Sequence, residues 1–148
     1  MKRFIALGAV VVLGILTVVS IASGSTVSSA TFKAALNVAQ VTPHPKGTMA
    51  GASGHFSATL TGTVLKWTLT YSHLTGPATA AHVHMGARGK NGIALIALCG
   101  PCKSPISGTA TAVTDDVAAL MSNARAYVNV HTAKNPEGEI RGEITVAH

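Results

Sequence analysis

Acidic residues are scarce in this chain of 148 residues, in which five Asp and Glu stand against eleven Lys and Arg. None of the carboxylates forms a pair suited to hydrolysis, since Asp115 and Asp116 begin a predicted helix. The others cluster around one turn and strand, at Glu137, Glu139 and Glu143. A nucleophile elbow and a glycine-rich phosphate loop are also missing from the sequence. The sequence therefore gives no support to a hydrolase.

Charged residues of both signs make up only 11% of the chain, against 47% hydrophobic residues. This composition excludes a highly charged disordered tail and a coiled coil. The length suits one domain and is too short for two separate cores. Beyond about residue 30 there are nine basic and five acidic side chains, a difference of +4, with no block of like charge. We therefore expect no nucleic-acid partner.

The N-terminus has the features of an export segment. Lys2 and Arg3 precede a run without charge or proline, Phe4 to Ile21, which as a helix would reach roughly 27 Å and just span a hydrocarbon core. Two interpretations remain open: a cleaved signal peptide, favoured by the small residues between Ala22 and Thr31, and an uncleaved membrane anchor. Both place residues 1–30 before an extracellular or cell-surface domain of residues 31–148, which contacts a membrane only through an uncleaved segment.

From Phe32 onward the hydrophobic pattern has a period of two and is interrupted by turn-forming residues, which predicts short antiparallel strands. Ile93–Leu98 is apolar at both parities and is predicted to be covered on both faces. One segment, from Val117 to Ala124, has helical spacing and a candidate N-cap at Thr114. We therefore predict an all-β sandwich or Greek-key barrel with one short helix. The predicted strands are Thr31–Val41, Gly54–Leu60, Val64–Leu74, Ala80–Met85, Ile93–Leu98, Gly108–Val113, Ala126–His131 and Gly138–Val146.

Three of the seven histidines are candidate metal ligands. His82 and His84 are one residue apart, so in a strand both project from the same face. In the later strand His131 lies on the polar side, opposite to Val128 and Val130. If the two strands pair, three neutral imidazoles converge, a ligand set used by Zn²⁺ and Cu²⁺ sites. The alternative is that these are exposed strand-face histidines, or partly buried ones that are hydrogen-bonded to the backbone, and that they bind no ion. We expect no ligand role for the remaining histidines, His44, His55, His73 and His148.

The tetrapeptide Cys99-Gly-Pro-Cys102 is identical to the thioredoxin active site. A thioredoxin site needs a helix that starts at the first cysteine, whereas the residues that follow contain proline and glycine without helical periodicity. In an exported chain with two cysteines, a structural disulfide is the simpler interpretation. Metal-bound thiolates, a redox-active pair and a copper ion shared by Cys99 and His131 remain the alternatives.

Two segments carry a resemblance to a known family. The first runs Ala81-His-Val-His-Met-Gly-Ala-Arg-Gly-Lys-Asn-Gly92, and the second runs Tyr127-Val-Asn-Val-His-Thr-Ala-Lys-Asn-Pro-Glu-Gly-Glu-Ile-Arg-Gly142. Together they resemble the CHRD domain, a module of chordin and of many secreted microbial proteins, over most of the chain from about Phe32 to Val146. The resemblance implies a secreted, immunoglobulin-like or superoxide-dismutase-like β-sandwich with a non-enzymatic binding or structural role. One departure is Glu143, where members often have Gln.

The His82-Val-His84 pair is also similar to the paired copper ligands of Cu,Zn superoxide dismutases. A dismutase needs a further copper ligand, a bridging histidine and a zinc-binding aspartate, and this sequence offers no assignable positions for them. Dismutase activity is therefore not carried over. In the second segment, Arg141 shares its parity with Glu139 and Glu143, which predicts a charge ladder on the surface worth about 0–1 kcal/mol per pair.

Three functions are compatible with these features. The favoured one is a non-enzymatic binding module that holds copper or zinc through His82, His84 and His131. The second is a redox enzyme that uses Cys99 and Cys102 or a histidine-bound copper ion. The third is a metal-free structural or adhesive envelope protein whose partner is an extracellular protein or a matrix component.

Overall fold

Nine β-strands and one short helix form the described part of the chain, residues 28–148 of a computed structural model. The strands are β1 (Ser29–Asn37), β2 (Ser53–Thr61), β3 (Val64–Ser72), β4 (Ala78–Met85), β5 (Ala94–Cys99), β6 (Ile106–Ala110), β7 (Ala126–Thr132), β8 (Ile140–Glu143) and β9 (Thr145–Val146). A 3₁₀ turn, Val38–Gln40, follows β1, and the helix α1 spans Asp115–Ser122. The all-β class with a single short helix is confirmed.

The strands form one antiparallel sheet in the order β5-β4-β7-β8-β1-β2-β3-β6, and β9 pairs with β1 beside this path. The pairing of β4 with β7 and of β8 with β1 needs the long connections of a Greek key. The sheet curls until it is nearly a barrel, with β5 and β6 in contact. Its two halves pack face to face as a β-sandwich.

The alternation of the strands explains where the core lies. In β3 the side chains of Leu65, Trp67 and Leu69 are buried, whereas Lys66 and Thr68 are exposed on the other face. Equivalent parity in the neighbouring strands fills the interior with apolar groups, among them Phe32, Leu36, Phe56, Leu60, Val83, Val128, Val130, Ile140 and Ile144. Burial of this apolar surface is the main term that stabilises the sandwich.

The helix α1 follows its sequence signals. The side chain of Thr114 accepts a hydrogen bond from the Val117 backbone N–H at 3.4 Å, and Asp115 and Asp116 occupy the first turn. These features satisfy an otherwise free N–H group and complement the helix dipole. Met121 is the buried side chain that attaches the helix to the core.

Two strand predictions are wrong in detail. Ile93–Leu98 is not covered on both faces, because Leu98 is its one buried residue and Ile93 is 68% exposed. The single strand predicted from Gly138 to Val146 is divided into β8 and β9. The division falls at Ile144. This residue is buried and donates its backbone N–H to Ala126 O at 2.9 Å. β8 therefore lies between β7 and β1 and pairs with both, whereas β9 pairs with β1 beside it.

The predicted export segment lies almost entirely outside the described residues. The first described strand, β1, begins at Ser29, two residues before the predicted start of the domain at residue 31. Within residues 28–148, no helix combines the length and the apolar character that crossing a membrane requires.

Candidate metal centre

The pairing of β4 with β7 builds the candidate site. Three consecutive rows on one face of the pair are Ala80 opposite His131, His82 opposite Asn129, and His84 opposite Tyr127. The intervening residues Ala81, Val83, Val128 and Val130 have the other parity and are buried in the core. The apolar positions therefore fix the register, and the register places the polar side chains together outside the core.

The three candidate histidines form one compact cluster. Their ring centroids lie 5.2 to 5.8 Å apart, and one ring nitrogen from each lies within 4.8 Å of the others. His82 Nδ1 and His131 Nε2 are 3.3 Å apart. Each of the three side chains is partly buried. This is the separation at which three nitrogen lone pairs can share one ion after small side-chain rotations.

Backbone carbonyls set the tautomers of two of these rings. His84 Nδ1 lies 3.1 Å from Gly92 O, and His131 Nδ1 lies 2.9 Å from Pro136 O. A carbonyl oxygen only accepts, so each Nδ1 carries the proton and each Nε2 offers a lone pair. The Nε2 atom of His84 is buried and has no hydrogen-bond partner among residues 28–148. Metal-binding histidines are held in this way by an outer-shell acceptor.

Burial lowers the pKa of His84 and of His131 below the usual 6.5. The hydrogen bonds to Gly92 O and Pro136 O oppose this shift, and the neighbouring His82 adds to it. Both imidazoles are therefore neutral at pH 7, which is the form that binds a metal ion.

A stack of side chains holds His84 in place. The rings of His84 and Tyr127 are stacked, with centroids 5.1 Å apart and an interplanar angle of 8°. The guanidinium carbon of Arg141 lies 3.5 Å from the centroid of the Tyr127 ring. The Tyr127 hydroxyl accepts a hydrogen bond from the Gly92 N–H at 3.4 Å. Tyr127 thus connects the ring of His84 to strand β8 and to the loop that supplies the Gly92 carbonyl.

The surface charge ladder predicted around Arg141 is wrong. Arg141 is almost completely buried and pairs with Glu143 alone, at 2.7 Å. Its remaining donors reach Asn91 Oδ1 at 3.2 Å and Ala87 O at 3.0 Å. The loop of residues 86–92 therefore covers this part of the sheet and converts a predicted surface pair into an internal one. Burial raises the pKa of Glu143, although the hydrogen bond from Arg141 opposes the shift.

Glu139 is a structural residue that the sequence pattern did not identify. It is fully buried, and its carboxylate accepts hydrogen bonds from the Thr75 N–H, the Thr75 hydroxyl and the Thr132 hydroxyl, each at 2.6 Å, and from Asn135 Nδ2 at 3.2 Å. Burial raises its pKa, but these four hydrogen bonds outweigh burial and the net pKa is below the usual 4.5. Glu139 therefore fixes the β7–β8 turn that presents the Pro136 carbonyl to His131.

Cys99 and Cys102 form a disulfide, as the sequence predicted, with Cα atoms 5.3 Å apart. Cys99 ends strand β5 and is followed by bends rather than by a helix. It pairs with Ala81, which has the core-facing parity, and its side chain packs against the core. The disulfide leaves no free thiolate for a metal, so Cys99 and His131 do not form a copper site.

We predict that a variant with both Cys99→Ser and Cys102→Ser has a free energy of unfolding lower by about 2 kcal/mol, the chain-entropy value for so short a loop. Its affinity for Cu²⁺ and Zn²⁺ should equal that of the wild type, because the disulfide lies on the other side of the sheet. Chemical denaturation and metal titration check the two statements. A large loss of metal affinity in a folded double variant would show that the sulfur atoms take part in the site.

The other four histidines remain outside the cluster. His44, His55, His73 and His148 are all exposed. Among the described residues, His82, His84 and His131 are the one group of histidine, cysteine or acidic side chains close enough to hold an ion together. His55 on β2 therefore serves as a matched control for substitutions at the cluster.

Comparison with known families gives one match. The model of the CHRD domain matches residues 32–144, which covers nearly all of the described chain. No curated protein and no solved structure matches the sequence. The matched range includes the three clustered histidines, the disulfide and Glu139.

Proposed function

This chain belongs to the CHRD domain family, and we propose that it is an exported binding module that holds one transition-metal ion, Cu²⁺ or Zn²⁺, through His82, His84 and His131. One observation carries the proposal: three partly buried imidazoles converge within 4.8 Å, and two of them are bonded through Nδ1 to backbone carbonyls that leave Nε2 available. The predicted N-terminal segment supports export.

The chemistry of the donor set favours Cu²⁺ and Zn²⁺ among common ions. Neutral imidazole suits both, whereas Mg²⁺ and Ca²⁺ prefer oxygen ligands and Cu⁺ selects thiolate or thioether sulfur. His82 is the least constrained of the three rings, since its Nδ1 bonds only to His131 Nε2. Exchange of that hydrogen bond for a metal bond would let both nitrogens face the ion.

Titration of the protein, purified without a histidine tag, tests the proposal. One equivalent of Cu²⁺ or Zn²⁺ should bind with micromolar or tighter affinity. At a free metal concentration of a hundred times Kd, the free energy of unfolding should rise by about 2.7 kcal/mol. Calorimetric titration and thermal unfolding measure these quantities. Absence of binding at micromolar metal would overturn the proposal and leave a metal-free adhesive or structural module.

The affinity for Zn²⁺ is expected to be constant around neutral pH and to fall only in acid. Protons compete with the metal for the imidazole nitrogens. Because burial keeps the pKa of His84 and of His131 below 6.5, both rings remain neutral until the pH drops below that value. Zn²⁺ titrations between pH 5 and 8, in about half-unit steps, check this. An affinity that is unchanged at pH 5 would argue against imidazole ligands.

A further inference from the structure

Asn129, on β7, is the direct cross-strand neighbour of His82. The row His82–Asn129 is the middle one of three, with His131 in the row on one side and His84 in the row on the other. Ala80, which pairs with His131, and His84 are four residues apart along β4. This separation corresponds to about 14 Å in a strand. The rings of His84 and His131 are nevertheless only 5.8 Å apart. Both rings therefore lean inward over the His82–Asn129 row.

The amide of Asn129 has one occupied end and one free end. Its Nδ2 donates to Glu137 O at 3.0 Å, which assigns the orientation of the amide, because the reverse orientation would bring two acceptor oxygens together. Its Oδ1 is buried and has no hydrogen-bond partner in the described chain. Because the residue is only 5% exposed, bulk water does not replace that partner. An unpartnered buried oxygen of this kind destabilises the fold unless a ligand satisfies it.

The same turn orients both Asn129 and His131. Pro136 O accepts from His131 Nδ1, and the next carbonyl, Glu137 O, accepts from Asn129 Nδ2. In each residue a backbone carbonyl holds the donor nitrogen, Nδ1 of His131 or Nδ2 of Asn129. The acceptor atom, Nε2 of His131 or Oδ1 of Asn129, is then left for another partner. His84 repeats this arrangement with the Gly92 carbonyl. Two of these acceptors, His84 Nε2 and Asn129 Oδ1, are buried without a partner among the described residues, and a cation bound between them would satisfy both.

We propose that Asn129 Oδ1 is the fourth donor of the metal centre, so that the protein supplies three nitrogens and one oxygen to the ion. The inference rests on the proposed function and deepens it. Four protein donors close the coordination shell of a tetrahedral ion, whereas three histidines alone leave a position for water or substrate. The site then holds its ion without catalysing a reaction on it, and the oxygen donor favours Zn²⁺ or Cu²⁺ over Cu⁺.

Two substitutions at Asn129 test this proposal on the full chain, with Zn²⁺ and Co²⁺ as probes. Asn129→Leu removes the oxygen and should weaken Zn²⁺ binding about tenfold or more and change the visible absorption spectrum of bound Co²⁺. Asn129→Asp retains an oxygen and adds a negative charge, so it should bind Zn²⁺ more tightly than the wild type. Its metal-free form should unfold at a lower temperature, because the bond to Glu137 O is lost.

Asn91→Asp is the matched control. Asn91 lies in the loop that covers the sheet. Its Oδ1 accepts from Arg141 and its Nδ2 donates to Thr42 O, so Asn91→Asp adds the same charge nearby and, like Asn129→Asp, loses one hydrogen bond to a backbone carbonyl, without adding a ligand. It should leave the Zn²⁺ affinity within about twofold of the wild type. If Asn129→Leu does not fold, Asn129→Asp carries the test, since a merely structural asparagine gives no gain in affinity.

The outcomes separate the two proposals. Wild-type affinity and an unchanged Co²⁺ spectrum in folded Asn129→Leu, or no gain in Asn129→Asp, would overturn the role of Asn129 and leave the histidine site intact. An equal gain in Asn91→Asp would also overturn it, because the effect would then be one of general charge. Failure of the wild type to bind either Zn²⁺ or Cu²⁺ would overturn both proposals.

Discussion

Replacement of His131 with alanine is expected to weaken the binding of Cu²⁺ and of Zn²⁺ by more than about a hundredfold, beyond the usual cost of losing an outer-shell partner. The substitution removes the one histidine ligand that comes from β7 and leaves two histidines on β4. It also removes the hydrogen-bond partner of His82 Nδ1, so the His82 ring loses the contact that holds it toward His131 on the opposite strand. Competition titration against a chelator of known affinity measures the loss.

The control for this experiment is His55→Ala, which removes an exposed histidine from β2 and should leave the affinity unchanged. His82→Ala should behave like His131→Ala, because both rings belong to the 3.3 Å pair. If either cluster variant bound metal as tightly as the wild type while it remained folded, the assignment of that ligand would be wrong.

Glu139→Gln is expected to lower the free energy of unfolding by about 3 kcal/mol. The amide replaces one carboxylate oxygen with a donor, and the two threonine hydroxyls and the Thr75 N–H then compete for a single acceptor. Denaturation by urea measures the change at pH 7. Glu137→Gln, at an exposed glutamate of the same turn, is the matched control and should change stability by less than about 0.5 kcal/mol. An equally small change for Glu139→Gln would contradict the role of the buried carboxylate.

The lowered pKa of Glu139 determines how the difference in free energy of unfolding between the wild type and Glu139→Gln depends on pH. A carboxylate whose pKa is lower in the folded state stabilises the fold at every pH above its unfolded-state value, near 4.5. That contribution is lost as the pH falls through the folded-state pKa. The stability gap between the wild type and Glu139→Gln should therefore be constant from pH 7 to about pH 5 and should close in more acid solution.

Local patterns in the sequence predicted the elements and the histidines of the site. The alternation Tyr127-Val-Asn-Val-His131 separates a core-facing from an outward-facing set, and His82 and His84 share one parity for the same reason. The N-cap at Thr114 is similarly a signal contained within four residues. Such features depend only on near neighbours in the chain, so they can be inferred before the fold is known.

The contacts that hold the site depend instead on residues distant in sequence. Glu139 is bonded to Thr75, 64 residues away, and Arg141 reaches Asn91, 50 residues away. Both glutamates beside Arg141 have the parity of a surface ladder, and only the covering loop shows that the arginine is buried. The same limit explains the error at β5, since the apolar run Ile93–Leu98 contains nothing that shows which of its side chains the rest of the fold leaves uncovered.

Asn129 shows the limit most clearly. Its parity with Tyr127 and His131 was apparent, but its free oxygen became apparent only with the Glu137 carbonyl in place. An asparagine in an outward-facing position of a strand carries no sign of whether its amide is solvated, structural or a ligand. The turn at residues 133–138 decides this for Asn129, because its Glu137 carbonyl accepts from Nδ2 and leaves Oδ1 unpartnered in the described chain.

The metal content of the purified protein is the most direct test of the central claim. The chain is expressed for export without a tag, incubated with Cu²⁺ or Zn²⁺, dialysed, and measured by elemental mass spectrometry beside its His82→Ala variant. One metal ion per wild-type chain, and none in the folded variant, is the predicted result. A wild-type chain that retains no metal, or a variant that retains as much as the wild type, would contradict the claim.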